Sequence, residues 1–106
     1  MSDTGAKKND QSKPQVSLIP SYPLLEVSKV LEFGAKKYTR DNWKKGFDWT
    51  RIYDSLQRHL LAWKEGEDID PESGLSHLSH AHCNILFLVE FQRTHPELDN
   101  RFEDKK

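Results

Sequence analysis

The sequence predicts an all-α fold built from three main helices. Apolar residues recur at helical spacing in three long stretches, and no run alternates between apolar and polar residues as a half-buried strand would. The chain has 106 residues, of which 35% are hydrophobic and 31% charged, enough for one small domain with a thin core. We therefore expect the helices to pack on one another, and oligomerisation to complete the fold.

Composition and charge exclude several classes of protein. The formal net charge is -1, so the chain has no overall basic bias toward a nucleic-acid polymer. No apolar run approaches the roughly 20 residues of a membrane span, and the polar first 15 residues have no signal-peptide core. A single cysteine, Cys83, allows no disulfide within one chain. These features predict a cytoplasmic protein.

The chain begins with a polar stretch, residues 1–15, that we interpret as a disordered tail. The apolar stretch Val16–Pro20 is a candidate to lie extended across the core. A first helix is predicted from about Tyr22 to Lys37, with Ser21 as its N-cap. Gly34 lowers helix propensity there by about 1 kcal/mol relative to alanine, which a close helix crossing or the approach of a ligand would explain.

A polar loop from Tyr38 to Asp48 separates the first helix from the second. The second helix is predicted from about Thr50 to Glu65, with Asp48 or Thr50 as its cap. Gly66 is a typical residue to end it.

The third predicted helix begins after Ser73 or Ser76 and runs to about Arg93. It is apolar over a wide arc, which is typical of a central helix. The dipeptide His95-Pro96 ends it. These boundaries predict one folded domain over residues 16–96, followed by a charged tail, residues 97–106, that either forms a short fourth helix or frays.

The turn between the second and third helices carries four carboxylates within six positions. Helix-dipole stabilisation and ordinary Asp-Pro turn chemistry would account for one or two of them, and the spacing does not match an EF-hand. We therefore expect a metal site or an acid/base site that includes members of this set, which is Glu67, Asp68, Asp70 and Glu72.

Histidines on the neighbouring helices are the matching candidates. His77 and His80 share one helix face with Asn84, whereas His82 points nearly the opposite way. His59 reaches the same region if the second and third helices are antiparallel. The alternatives are satisfied core histidines at His77 and His80, and polar surface filler at His59.

A basic cluster surrounds the Asn42-Trp43 pair in the first loop. One interpretation is a solvated loop. The other is a phosphate and base site, in which cations bind phosphate, Trp43 stacks on a base and Asn42 binds its edge. The cations are Lys36, Lys37, Arg40, Lys44 and Lys45.

The ordered motifs FGAKKY, NW, RHLLAW, GEDIDPESG and HLSHA resemble the phage-encoded dATP/dGTP diphosphohydrolases, which are similar to the all-α MazG-like nucleotide pyrophosphohydrolases. The resemblance covers roughly Leu18 to Phe91. It implies metal-dependent hydrolysis of a purine deoxynucleoside triphosphate, dGTP or dATP, to the monophosphate and pyrophosphate. It also implies Mg²⁺ or Mn²⁺ as cofactor, a homodimer or homotetramer, and a place in phage nucleotide metabolism in the host cytoplasm.

The sequence departs from the MazG-like pattern in its metal ligands. Such enzymes carry an ExxE pair on one helix and an ExxD pair on the next. Here His77 and His80 stand where ExxD is expected, and the second helix has His59 and Glu65 but no ExxE. Imidazole ligands suit Mn²⁺ or Zn²⁺ better than Mg²⁺, so Zn²⁺ is a further candidate.

The resemblance implies a role for each candidate residue. The catalytic set is Glu67, Asp70 and His77, and the metal ligands are Glu67, Asp70, His77, His80 and His59. Substrate binding is expected from Lys37 and Arg58 on phosphate, Asn42 and Trp43 on the purine, and Asn84. The alternatives are a non-enzymatic, metal-stabilised helical phage accessory protein that binds a nucleotide or a protein partner, and a protein that binds nucleotide without hydrolysing it.

Overall fold

The computed structural model describes residues 4–102, and this range contains three α-helices. They are α1 (Ser21–Lys37), α2 (Trp49–Lys64) and α3 (His77–Thr94). Extended pairing in the described range is limited to one isolated bridge between Ile69 and Ser76. The predicted all-α fold is therefore confirmed, and the predicted helix ends fall within one residue of the observed ones, with Ser76 rather than Ser73 as the N-cap of α3. Short 3-10 helices occur at Val16–Leu18, Asn42–Lys45 and Pro96–Leu98.

Local chemistry explains the start of α3 and the end of α2, whereas Asp48 occupies the N-cap position of α2 without a side-chain hydrogen bond to the helix. The Ser76 hydroxyl accepts a hydrogen bond from the Leu78 N–H at 3.1 Å and caps α3. Gly66, at φ 102°, ends α2 in a conformation that glycine adopts without strain. The prediction of Ser21 as a cap is wrong, because α1 starts at Ser21 itself and Pro20 holds the N-cap position.

Helix α3 is central, as its wide apolar arc predicts, because it packs against both α1 and α2. Val30 of α1 lies against Cys83 of α3 in one apolar cluster. Ile52 and Trp49 of α2 surround Phe91, which is fully buried, in another. Burying a side chain of this size stabilises the fold by about 1.5–3 kcal/mol.

The segments outside the helices differ in how they pack. The stretch Val16–Pro20 does not lie across the core as predicted, because Leu18 is 77% exposed. Val27 and Val30 already fill the contact between α1 and α3. At the other end, the Asn100 side chain accepts from the Thr50 N–H at 3.1 Å and donates to the Thr50 hydroxyl at 2.8 Å.

Residues 4–15 form no helix and are all exposed. Residues 1–3 of the expected N-terminal tail and 103–106 of the expected C-terminal tail lie outside the described residues. Within the described range, no helix is both long and apolar enough to cross a membrane.

Candidate active site

A cavity of about 580 Å³ lies between the three helices, the acidic turn and the 3-10 turn Asn42–Lys45. This volume is within the range of small-molecule binding sites. The cavity brings together nine of the ten candidate site residues, which come from five elements of the structure. They are Lys37, Asn42, Trp43, Arg58, His59, Asp70, His77, His80 and Asn84. The tenth, Glu67, does not line the cavity and reaches it through His77.

The histidines meet because α2 and α3 run antiparallel. Trp49 packs near Phe91 at one end of the pair, and His59 meets His77 at the other. The Nδ1 atoms of His59 and His77 are 2.8 Å apart. The His59 ring also stacks on that of His80, with centroids 4.5 Å apart and planes 7° from parallel.

Hydrogen-bond partners determine where the ring protons lie. His77 Nε2 is 2.7 Å from a carboxylate oxygen of Glu67, which only accepts, so Nε2 carries a proton. In a neutral His77 the other nitrogen, Nδ1, accepts the Nδ1–H of His59. His59 then carries its lone pair on Nε2. The result is a hydrogen-bonded chain from the exposed Glu67 through buried His77 to His59 in the cavity.

Burial keeps two of the three imidazoles neutral near pH 7. It lowers the pKa of His59, and the neighbouring His80 and His77 lower it further. Burial also lowers the pKa of His80, against the opposing effect of the Asp70 carboxylate. Neutral imidazoles are the forms that accept protons or bind metals.

Asp70 organises the acidic turn. Its carboxylate accepts from the Ser73 hydroxyl at 3.1 Å and the Glu72 N–H at 3.3 Å, and lies 3.3 Å from His80 Nε2. Burial acts to raise the pKa of Asp70, but the hydrogen bonds from Glu72 and Ser73 and the adjacent imidazoles outweigh it and lower the pKa. Asp70 is therefore an ionised, half-buried carboxylate facing the cavity.

Three cationic side chains also line the cavity. The Lys37 ammonium pairs with Glu72 at 2.7 Å, and both side chains are largely exposed. Such a surface pair contributes little stability, so an anion can exchange with Glu72 at small cost. Arg58 and Arg40 line the same cavity, and Arg58 makes no ion pair within residues 4–102.

Trp43 stacks on Phe87 with centroids 4.8 Å apart and planes 15° from parallel. Phe87 thus covers one face of the indole and fixes its orientation. Asn84 is buried and donates to the Ser55 hydroxyl at 3.2 Å, which holds the amide in place.

Sequence reasoning missed several residues that position the site. Ser55 lies one helical turn before His59 on the same face of α2, a spacing that would have indicated it. The sequence pattern indicates Ser73 only as a cap, yet its hydroxyl lies 2.6 Å from His80 Nε2. Of the two explanations offered for Gly34, the close helix crossing is excluded, because an added Cβ would have nothing within 4 Å, and Gly34 lines the cavity.

The candidate metal ligands form hydrogen-bonded pairs. Among the described residues, no three His, Cys, Asp or Glu side chains are grouped as a ready-made ligand set. The rings of His59 and His80 lie in nearly parallel planes. Their in-plane lone pairs therefore do not point at one common position.

A small all-α protein that gathers imidazoles, carboxylates and cations around one cavity is a candidate hydrolase of phosphate compounds. The chain belongs to the family of dATP/dGTP diphosphohydrolase N-terminal domains, whose model matches residues 3–101. It is 37% identical over 94 residues to a dATP/dGTP diphosphohydrolase of Salmonella phage PMBT28. That match covers 89% of this chain and 32% of the relative, so the chain spans about a third of the relative's length. No solved structure gives a significant match.

Proposed function

We propose that the chain hydrolyses a purine deoxynucleoside triphosphate, dGTP or dATP, to the monophosphate and pyrophosphate in the cytoplasm of an infected host cell. The relative's name, dATP/dGTP diphosphohydrolase, supports the reaction class. The observation that carries the proposal is the single cavity that brings cations, an aromatic ring, imidazoles and a carboxylate together from distant parts of the sequence.

The triphosphate would bind at the cation-lined side of the cavity. Lys37 and Arg58 contact phosphate oxygens in this proposal, and Arg40 adds a third positive charge. Charge-assisted hydrogen bonds of this kind are stronger than neutral ones. Binding of the phosphates would break the ion pair between Glu72 and Lys37.

The purine would lie against Trp43, on the indole face that Phe87 does not cover. Base stacking on an aromatic side chain contributes about 1–3 kcal/mol and tolerates different bases. Asn42 and Asn84 line the same cavity and supply amide groups for the base edge or the sugar.

The donor chemistry fits a divalent cation. Asp70 would supply an ionised carboxylate, and His59 or His80 a nitrogen from a neutral imidazole, a mixed oxygen and nitrogen set that suits Mn²⁺ or Zn²⁺ and, with water and phosphate oxygens, Mg²⁺. When bound, the cation would neutralise phosphate charge during the reaction. The stacked rings support one imidazole of the His59–His80 pair, rather than both, as ligand to a given cation.

The hydrogen-bonded chain of His59, His77 and Glu67 would accept the proton of the attacking water. The water oxygen forms a bond to the α-phosphorus as the bond to the bridging oxygen breaks and pyrophosphate leaves. His59 Nε2 takes the proton of the water, the Nδ1 proton of His59 passes to His77, and the Glu67 carboxylate stabilises the resulting imidazolium. Glu67 thus acts through His77.

A triphosphate panel with product analysis tests the proposal. The full chain is incubated with each deoxynucleoside triphosphate and Mg²⁺, Mn²⁺ or Zn²⁺. We expect pyrophosphate release from dGTP or dATP and its loss on chelation. An accessory protein would instead lose helicity on chelation without turnover at any metal concentration, and a binding protein would take up nucleotide without product. Either of these results would overturn the proposal.

A further inference from the structure

His95 connects the end of α3 to the turn that carries Trp43. Its Nε2 lies 2.8 Å from the backbone carbonyl oxygen of Lys44, within the 3-10 turn Asn42–Lys45. Its Nδ1 lies 2.9 Å from a carboxylate oxygen of Glu97. The ring therefore lies between the proposed base-binding turn and the segment that follows α3.

Both partners of His95 are acceptors only. A backbone carbonyl and an ionised carboxylate have no proton to donate, and a neutral imidazole has one N–H. The two hydrogen bonds therefore form together only when His95 carries both ring protons. The hydrogen bonds to Glu97 and to the Lys44 carbonyl also raise the pKa of His95.

Charged groups from three neighbouring elements surround His95. Glu97 is the acidic group in contact with the ring. On the turn, the Lys44 ammonium pairs with Asp41 at 3.1 Å. On α3, the ring of Phe91 contacts the His95 ring, with centroids 5.5 Å apart. The charged residues nearby on α3 are Glu90 and Arg93, which form an ion pair with each other at 2.7 Å.

The turn is also packed against His95 without a gap. Gly46, which closes the turn at φ 91°, lies so near that an added Cβ would be 3.0 Å from His95 Cδ2 and 2.5 Å from Leu98 Cδ1. The Gly46 N–H donates to the Trp43 carbonyl at 3.0 Å. These contacts connect the His95 ring to the backbone of Trp43 through Gly46.

We propose that doubly protonated His95 is a positioning residue that fixes the Asn42–Lys45 turn, and with it Trp43, for binding of the purine nucleotide. Loss of a ring proton breaks one of the two hydrogen bonds and loosens the turn. Nucleotide binding is therefore stronger when His95 is charged. This inference rests on the proposed function of the cavity.

The direction of the pH effect follows from the raised pKa. A group whose pKa is higher in the folded state than in the unfolded state stabilises the folded state. For His95 this stabilisation is complete at pH values below the ordinary imidazole pKa of 6.5. This stabilisation is lost as the pH rises through the raised pKa of His95. We therefore expect binding to weaken on the alkaline side of neutrality.

The test combines NMR titration with kinetics on the full chain, over roughly pH 5 to 9, where imidazole titrates. We expect the His95 ring signals and the backbone amide signals of Asn42–Lys45 to change with one shared midpoint above 6.5. Glu97→Gln should lower that midpoint. If the backbone amide signals of Asn42–Lys45 do not change as His95 titrates, the proposal is overturned.

Kinetics give the second readout. In the wild type, KM for dGTP or dATP should rise several-fold through the His95 titration. In His95→Gln, which retains one side-chain donor but does not titrate, that step in KM should vanish while kcat stays close to wild type. His82→Gln is the matched control, because His82 is exposed on α3, and it should keep the step. A KM step that persists in His95→Gln would contradict the proposal.

The two readouts separate this inference from the proposed function. If no variant hydrolyses or binds a triphosphate, the proposed function fails. The NMR titration then still decides whether His95 positions the turn.

Discussion

At the scale of single residues, Glu67 tests the hydrogen-bonded chain through His77 to His59. Glu67→Gln keeps the size of the side chain and removes its charge, so it no longer stabilises a charged His77. We expect kcat for pyrophosphate release to fall by orders of magnitude while circular dichroism stays helical, because the Glu67 side chain is 54% exposed. Glu65→Gln, an exposed neighbour outside the cavity, is the control and should leave kcat unchanged.

The acidic turn has a second test at Asp70. If both Glu67→Gln and Asp70→Asn retained the wild-type rate of pyrophosphate release, the turn would serve only as a capped loop. The proposed site would then be wrong.

Trp43 is the residue that tests the base-binding side. Trp43→Ala should raise KM by the equivalent of about 1–3 kcal/mol of lost stacking, with a smaller effect on kcat. Trp43→Phe should recover part of the loss, because a ring remains to stack on Phe87. Trp63→Ala removes a half-exposed tryptophan away from the cavity and should leave KM unchanged. Equal effects of the two alanine variants would contradict a role in base binding.

At the scale of secondary-structure elements, the start of α3 depends on its cap. Ser76→Ala removes the hydrogen bond to the Leu78 N–H and should lower the free energy of unfolding by about 1 kcal/mol. In a domain of this size that corresponds to a fall in Tm of about 4–8 °C. Ser79→Ala, inside the same helix, should change Tm much less. Equal shifts would show that the cap contributes nothing.

The helices were predictable from sequence because apolar residues recur at helical spacing within each one and capping or glycine residues mark the start of α3 and the end of α2. The N-cap of α1 was not predictable, since Pro20 occupies the position that the preference for serine at N-caps had suggested for Ser21. The stretch Val16–Pro20 was also wrongly placed. A short apolar run bounded by proline has no periodicity that indicates which surface, if any, it covers.

The candidate site was predictable where residues share a helix face. His77 and His80 are three positions apart, and an antiparallel neighbour brings His59 to them. Ser73 and His95 act across separate elements, and such contacts leave no periodic signal in a sequence. The direction of Glu67, away from the cavity and toward His77, depends on the three-dimensional course of the turn.

At the scale of the whole molecule, exposed apolar side chains support our proposal of a homodimer or homotetramer. Leu78, Ile85 and Val89 form one outward stripe on the central helix and are 45%, 49% and 62% exposed. Burying such a stripe against a second copy would stabilise an assembly at about 25 cal/mol per Å² of apolar surface.

Light scattering at micromolar concentration should therefore give at least twice the monomer mass. Ile85→Lys together with Val89→Lys should shift the protein toward monomer, whereas lysine at Thr94, an exposed polar position on the opposite side of α3, should not. A wild-type chain that scatters as a clean monomer would contradict the proposal of an assembly.

The most direct test of the proposed function is hydrolysis of dGTP or dATP by the full chain in water labelled with ¹⁸O, with both products analysed by mass spectrometry. Attack of water on the α-phosphorus predicts deoxynucleoside monophosphate carrying one ¹⁸O, together with unlabelled pyrophosphate. Label in the pyrophosphate, release of a diphosphate with inorganic phosphate, or no turnover with any divalent metal would contradict it.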